Sequence, residues 1–400
     1  LLQLWLLRRH DHHVMAHRDR VPGAFADRIP LADHQKAADY TSAKVRLASL
    51  ELRYGVLILL VWTVGGGLDG LLHLWQRLGW SPIPTGVAAV LSVLLIQGLL
   101  ELPLSLWRTF RVEARFGFNR TTPSRFVKDL GLQVLLTLLV GVPLIGVVLW
   151  LMETSGGLWW LYAWAVWIGF SLLMTWAYPT FIAPLFNDFT PLEEHELRAR
   201  VERLLARCGF RSNGIFVMDG SRRSAHGNAY FTGFGRNKRI VFFDTLLRGI
   251  DPDEVEAVLA HELGHFKRRH VLKRLLLVAA TSFLGFWLLG WLIGQPWFYQ
   301  GLGVTLPSHA AALILFALAA PVFTQFLTPL SAMLMRKQEF EADDFAVEQT
   351  GGEPLIRALV KLYKDNANTL TPDSLYSAFH DSHPPAPVRI AHISTRMAPN

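Results

Sequence analysis

His261-Glu262-Leu263-Gly264-His265 sets two imidazoles four residues apart, so on a helix both can turn a ring nitrogen towards one metal ion. Glu262, beside the first of them, can then activate a water on that metal, which is the chemistry of a zinc peptidase. With 15 His and 32 acidic residues in 400, chance supplies this pattern fewer than about 0.05 times per chain. The competing reading is a solvated helix that happens to carry two histidines, and the polar run Lys267-Arg268-Arg269-His270 is the feature in its favour. A peptidase site also needs a third protein ligand, normally a carboxylate, with a fourth position left for water. Glu339 is the leading choice, in the helical stretch Arg336-Lys-Gln-Glu-Phe-Glu-Ala-Asp-Asp344, although spacing alone leaves its acidic neighbours open. Asp343 lies one turn on, where it can hydrogen-bond a ligating imidazole and set its tautomer. Glu341 and Asp344 point to other helix faces and read as solvated surface.

The element that must carry the motif has a clear start. Asp251 suits an N-cap, Pro252 the first turn, and Asp253, Glu254 and Glu256 the positive end of the helix dipole. Val255, Val258, Leu259 and Leu263 make an apolar stripe at helical spacing, so the histidines border a packed face.

Composition sets the environment. Hydrophobic residues are 51% of the chain and charged ones 18%, with 14 Trp and a positive mean hydropathy, which indicates a membrane protein. Stretches of spanning length without Lys, Arg, Asp or Glu run over 131–152, 157–178, 275–298 and 309–330. Two more are interrupted, 54–76 by Asp69 and His73 and 86–107 by Glu101. Asp69 would suit a wet chamber between helices; Glu101, close to Arg108, is better read as a residue near a helix end that snorkels. The opening Leu1-Leu-Gln-Leu-Trp-Leu-Leu7, with no initiator Met, is expected to be the tail of a truncated span rather than a signal peptide.

If the spans alternate, segments 8–53, 108–130, 179–274 and 331–400 share one side and hold every Lys and Arg except Arg77. The positive-inside rule makes that side cytoplasmic. The net charge of +7 then reflects topology and attraction to anionic head groups of the bilayer, with no need for a nucleic-acid partner. Cys208, the single cysteine, allows no internal disulfide and reads as a small buried hydrophobe.

Residues 179–274 have an α+β pattern: a helix at 191–208, strands near 214–218, 228–234 and 239–243, then the motif helix. Gly235-Arg-Asn-Lys238 signals the turn between the last two strands, which puts Asn228-Ala-Tyr-Phe231 on a hairpin arm. The expected organisation is therefore an N-terminal segment 1–53, four spans in 54–178, a cytoplasmic catalytic part 179–274, two spans in 275–330, and a cytoplasmic part 331–400 that completes the site.

Three motifs in order, His261-Glu-x-x-His265, Arg336-x-x-Glu339-x-x-Ala342-Asp343 and His383-Pro-Pro-x-x-x-Arg389, embedded among spans, resemble the type I CAAX prenyl endopeptidases. The segments Leu31–Thr41, Pro184–Pro191 and Asp219 through Phe231 to Asp244 are similar to the same family, so the resemblance covers nearly the whole chain. It implies a mainly α fold: a seven-span helical barrel, the first span truncated here, around an intramembrane chamber, with an α+β gluzincin-like domain at the cytoplasmic side. It further implies one zinc ion on His261, His265 and Glu339, with Glu262 as general base. Asn228 and Ala229 on an edge strand would hydrogen-bond the substrate backbone, and His383 and Arg389 would steady the oxyanion or the substrate's carboxyl end. Judged without the family, His383-Pro-Pro reads equally as an extended loop, and His226 and His380 read as surface residues.

The expected partners are a polypeptide substrate, prenylated at its C-terminus on the strength of the resemblance, and the lipid bilayer. The membrane would be the inner membrane of a bacterium, or the endoplasmic reticulum in a eukaryote. Nothing in the residues themselves reads a prenyl group. Rival readings are a quality-control metalloprotease of the membrane and, from another class, an idle protein that binds peptides or lipids in its chamber. The presence of both histidines, the base and a third ligand argues against the last.

Overall fold

In a computed structural model, residues 1–210, 214–234 and 237–397 are described. Five helical stretches are long and apolar enough to cross a bilayer: Pro82–Glu113, Pro123–Thr154, Gly156–Phe186, His270–Leu292 and His309–Thr350. A sixth crossing is formed if Leu31–Trp62 and Gly67–Gln76 count as one span, bent by 46° at the break. The first helix, Leu2–Ala16, has 15 residues. Large apolar side chains on these stretches, among them Leu99, Leu139 and Phe323, point outwards and are 67%, 68% and 71% exposed, as lipid-facing residues must be.

The helices starting at Pro82, Pro123, Trp159, His270 and His309 each pack on the next, and the last returns to the first. Leu68, Ala89, Leu149, Ala163, Leu289 and Leu315 are buried among them. The break expected nowhere in 54–76 falls at residues 63–66, where Gly66 takes a left-handed φ of 75° and a Cβ on Gly65 would meet the Val61 backbone at 2.9 Å. The interrupting acids are engaged. Asp69 accepts hydrogen bonds from Thr305 N at 2.6 Å and Thr305 Oγ1 at 2.9 Å, tying the start of the helix Gly67–Gln76 to the loop before His309. Glu101 accepts from Gln97 Nε2 at 2.6 Å, whereas Arg108 pairs with Glu51. Side-chain partners, rather than snorkelling towards Arg108, thus satisfy Glu101.

On the basic side sits the α+β part. Its sheet has β1 (Phe189–Pro191), β2 (Ile215–Met218), β3 (Ala229–Phe234) and β4 (Asn237–Phe243) in the order β1-β2-β4-β3. β2 and β4 are parallel with Ile215 opposite Ile240, and β3 runs antiparallel to β4 with Ala229 opposite Phe242, which leaves β3 at an edge. The short strand β1, which sequence periodicity does not reveal, delays the next helix to His195–Cys208. Gly235 and Arg236 of the expected hairpin turn lie outside the described residues. Cys208 is buried and free. Ile240 and Phe242 join Val201, Leu204, Leu259, Leu263, Leu355 and Ile393 in one core that also holds the motif helix.

The motif helix, Pro252–Lys267, begins with a capping box in which the Asp251 and Glu254 side chains cap each other's backbone N–H groups. It packs most closely on Thr328–Thr350, the continuation of the last apolar span. That whole stretch from His309 is 42 residues, about 60 Å of helix against a hydrocarbon core of about 30 Å, so its charged half from Arg336 onward stands clear of the membrane. The crossing is possible because Gly264 has no side chain: a Cβ there would come within 2.9 Å of Ala342 Cα. Gly264→Ala is expected to cost about 1–3 kcal/mol through this overpacking, read as a lower thermal midpoint in detergent; an unchanged midpoint would mean that the two helices do not rely on this contact.

Candidate metal centre

Two helices supply the site. His261 and His265 stand one turn apart on the motif helix, and Glu339 and Asp343 stand one turn apart on Thr328–Thr350, on the face turned to it. Glu339 is 2% exposed and Asp343 fully buried. His261 Nε2 and His265 Nε2 are 3.2 Å apart, His261 Nε2 lies 3.4 Å from Glu339 Oε2, and His265 Nε2 lies 3.3 Å from Glu339 Oε1. Bonds of ~2.0–2.1 Å arranged as a tetrahedron have edges of about 3.3–3.4 Å, so the three donors have the spacing of one tetrahedral face. Glu339 Oε2 is also buried with no hydrogen-bond partner among the described residues, an acceptor that a cation would satisfy. The donor set therefore fits a metal ion.

Behind the His261 imidazole stands a carboxylate. Asp343 Oδ1 is 2.8 Å from His261 Nδ1, which fixes Nε2 as the lone-pair nitrogen facing the site. Asp343 in turn accepts from Arg389 Nε at 2.9 Å. Burial alone would push the Asp343 carboxyl up, but the Arg389 guanidinium and the His261 hydrogen bond prevail and hold it at about 2. Burial acts on Glu339 in the same direction, and its contacts with His261 and His265 outweigh it, holding this carboxyl far below the ordinary range. Both acids are thus anionic ligands or anchors at any physiological pH.

His265 has an outer partner that sequence reading missed. His265 Nδ1 lies 3.0 Å from His270 Nδ1, and His270 Nε2 lies 2.9 Å from Glu341 Oε2. His270, in the run read as evidence for a solvated helix, is 1% exposed. It turns back because Arg269 takes a left-handed φ of 57° between the motif helix and the next span. The only signal in the chain was the closeness of His270 to the motif. Glu341 and Asp344 are likewise not merely solvated: Glu341 holds His270, and Asp344 accepts from Arg396 at 2.9 Å and meets His392 at 2.7 Å.

The remaining residues divide by side. Glu262 is half-buried and has no side-chain partner among the described residues. His383 is exposed, with Nε2 at 3.4 Å from Glu339 Oε1 and Nδ1 at 3.0 Å from Ser382 Oγ, in the extended link before helix Ala386–Met397. Arg389, expected near the oxyanion or the substrate's carboxyl end, is instead buried behind the donors, its Nη1 3.8 Å from Glu339 Oε2. Ala229 begins the edge strand, where its N–H donates to the Asn228 side chain at 2.9 Å. His226, expected at the surface, is half-buried: it stacks on Phe118 at 4.2 Å and faces Glu113 at 3.4 Å. His380 is half-buried against Tyr376, at 4.6 Å between rings.

A bundle of membrane helices carrying a buried His-His-Glu donor set beside an unpaired Glu defines a multi-pass membrane metalloendopeptidase. Residues 191–397 match peptidase family M48, and residues 10–188 match the CAAX prenyl protease N-terminal region, described as five membrane helices. The chain belongs to family M48, in its CAAX prenyl protease group. It is 34% identical to the human CAAX prenyl protease 1 homolog over 85% of this chain and 81% of that protein. It is 32% identical to CAAX prenyl protease 1 of Saccharomyces cerevisiae over 91% and 86%. The crystal structure of S. mikatae Ste24p superposes with a TM-score of 0.91 at 30% identity, covering 98% of this chain and 95% of that one.

Asp343→Asn is expected to weaken metal binding about 10–100-fold, with Glu341→Gln costing less because it acts one residue further out. Asp344→Asn, on the exposed side, should change it by less than about threefold. Competition against a chromophoric chelator measures all three, and equal losses in all three would contradict the assignment of Asp343 to the metal site.

Proposed function

We propose that this protein is a zinc-dependent endopeptidase that cleaves polypeptides close to a prenylated C-terminus, with its site on the cytoplasmic side. The observation that carries this reading is the tetrahedral spacing of the His261, His265 and Glu339 donor atoms next to the unpaired Glu262. The cytoplasmic side is supported by the Lys and Arg distribution, which gathers in 1–53, 108–130, 179–274 and 331–400 around the membrane segments. The CAAX substrate is supported by the names of the relatives and by similarity along most of both chains.

His261, His265 and Glu339 would hold the zinc, which lowers the pKa of a coordinated water towards neutrality and polarises a carbonyl. Glu262 takes the proton from the attacking water and returns it to the leaving amine. His383, exposed on the open side of the donors, donates a hydrogen bond to the oxyanion. Asp343, with Arg389 behind it, and His270, with Glu341 behind it, keep the two imidazoles oriented. Ala229 pairs with the substrate backbone as an added strand once the Asn228 side chain releases its N–H, and Asn228 then becomes free to contact the substrate itself.

The test is zinc content and cleavage of a quenched farnesylated peptide by the detergent-solubilised protein. One zinc per chain is expected, with cleavage abolished by a chelator, restored by zinc, and reduced at least ~10²-fold in Glu262→Gln. Equal cleavage of unprenylated polypeptides would move the substrate to membrane quality control, and the absence of stoichiometric zinc under metal-replete conditions would end the zinc assignment.

A further inference from the structure

A cavity of about 460 Å³ opens beside His383, with Ser382, Tyr363, Tyr376, His380 and Lys44 on its wall. It has room for a few residues of extended peptide and runs away from the metal donors. Lys44 is its one cation other than histidine. Among the described residues its ammonium has no carboxylate partner. It lies 4.1 Å over the Tyr40 ring, and the nearby Glu113 is occupied, accepting from Tyr40 Oη at 2.6 Å and facing His226 at 3.4 Å. Burial pushes the carboxyl of Asp381, on the same wall, upward; Ser377, Arg336 and the neighbouring histidines offset this only in part, and Lys44 is not among its partners. A cation left unpaired in a confined pocket invites an anion.

The edge strand points to the source of that anion. The segment entering β3 is held by Gly227 N donating to Asn366 Oδ1 at 3.0 Å and by His226, whose Nε2 is 3.5 Å from Tyr40 Oη. Lys44, seated on the same tyrosine, therefore lies beyond the Ala229 end of the strand. A peptide that adds antiparallel to β3 carries its own carboxyl end in that direction. We propose that Lys44 binds the free α-carboxylate of the substrate and so restricts cleavage to bonds a few residues from a chain end. Two other cations lie near the site, and both are engaged: Arg389 by Asp343, and Arg336 by the Ser377, Ala378 and Asp381 carbonyl oxygens. The proposal rests on the reading above that the substrate adds as a strand at this edge.

The experiment compares matched peptides ending in a carboxylate or a carboxamide, with and without the prenyl group, on the wild type, Lys44→Met and Lys44→Arg. The wild type is expected to favour the carboxylate by about tenfold or more in kcat/KM, mainly through KM. Lys44→Met should bring the carboxylate peptide down to the carboxamide level while leaving the carboxamide peptide unchanged, and Lys44→Arg should recover most of the preference. Affinities of the same pairs for Glu262→Gln, by fluorescence anisotropy, give the comparison without turnover. Equal handling of the two ends by the wild type, or a Lys44→Met loss that falls equally on both, overturns the assignment. A carboxylate preference lost in Lys44→Met, together with equal cleavage of prenylated and unprenylated peptides, upholds Lys44 and removes only the prenyl part of the proposed function.

Discussion

The contact between the motif helix and the helix that follows the last span governs the rest of the structure. Neither helix has a complete donor set, and it is the glycine at 264, resting on the backbone of Ala342, that lets them come close enough to share one. The closeness buries His261, Glu339, Asp343 and Arg389 together. Charged groups in such a place are tolerated only if each is matched, since one unpaired charge there costs several kcal/mol. The network meets that demand with Arg389 set against two acids, which leaves a net demand for positive charge at the open side of the imidazoles.

The two larger of the three buried apolar clusters among the described residues follow from the same division of labour. One gathers the inner faces of the apolar helices, with Leu68, Leu149 and Leu315 at its centre; the other gathers the sheet, the motif helix and the C-terminal helices around Leu263 and Phe242. The stretch His309–Thr350 belongs to both, apolar at its start and carrying Glu339 and Asp343 further on. The bilayer thus anchors one metal-site helix directly, while the other is anchored by the sheet and leads into the membrane through the turn at Arg269.

What could be read from the chain was what has a local period or a fixed spacing. The two histidines with their glutamate, the apolar spans, three of the four strands and the capping residues of the motif helix all have that property. Glu339 and Asp343 were legible because they recur at helical spacing directly after a span. The outer pair His270 and Glu341 was not, because it depends on one left-handed residue folding the chain back and on a partner on a distant helix. Arg389 was assigned to the wrong side of the site for the same reason: its position in a motif is local, whereas burial against Asp343 is a property of the assembled fold. Tyr40, Glu113 and His226 meet from three distant segments, and no period in any of them announces it.

The donors sit on opposite sides of two membrane crossings in the chain, with the histidines before them and the glutamate after. During synthesis, the first two donors leave the ribosome well before the third, and no complete tetrahedral face exists until the final crossing has been inserted and its helix has docked against Gly264. A partly made chain therefore carries no competent peptidase. Assembly of the centre thus waits on the second of these crossings, and the pair of histidines on the motif helix stays an incomplete set until the helix carrying Glu339 has docked beside it.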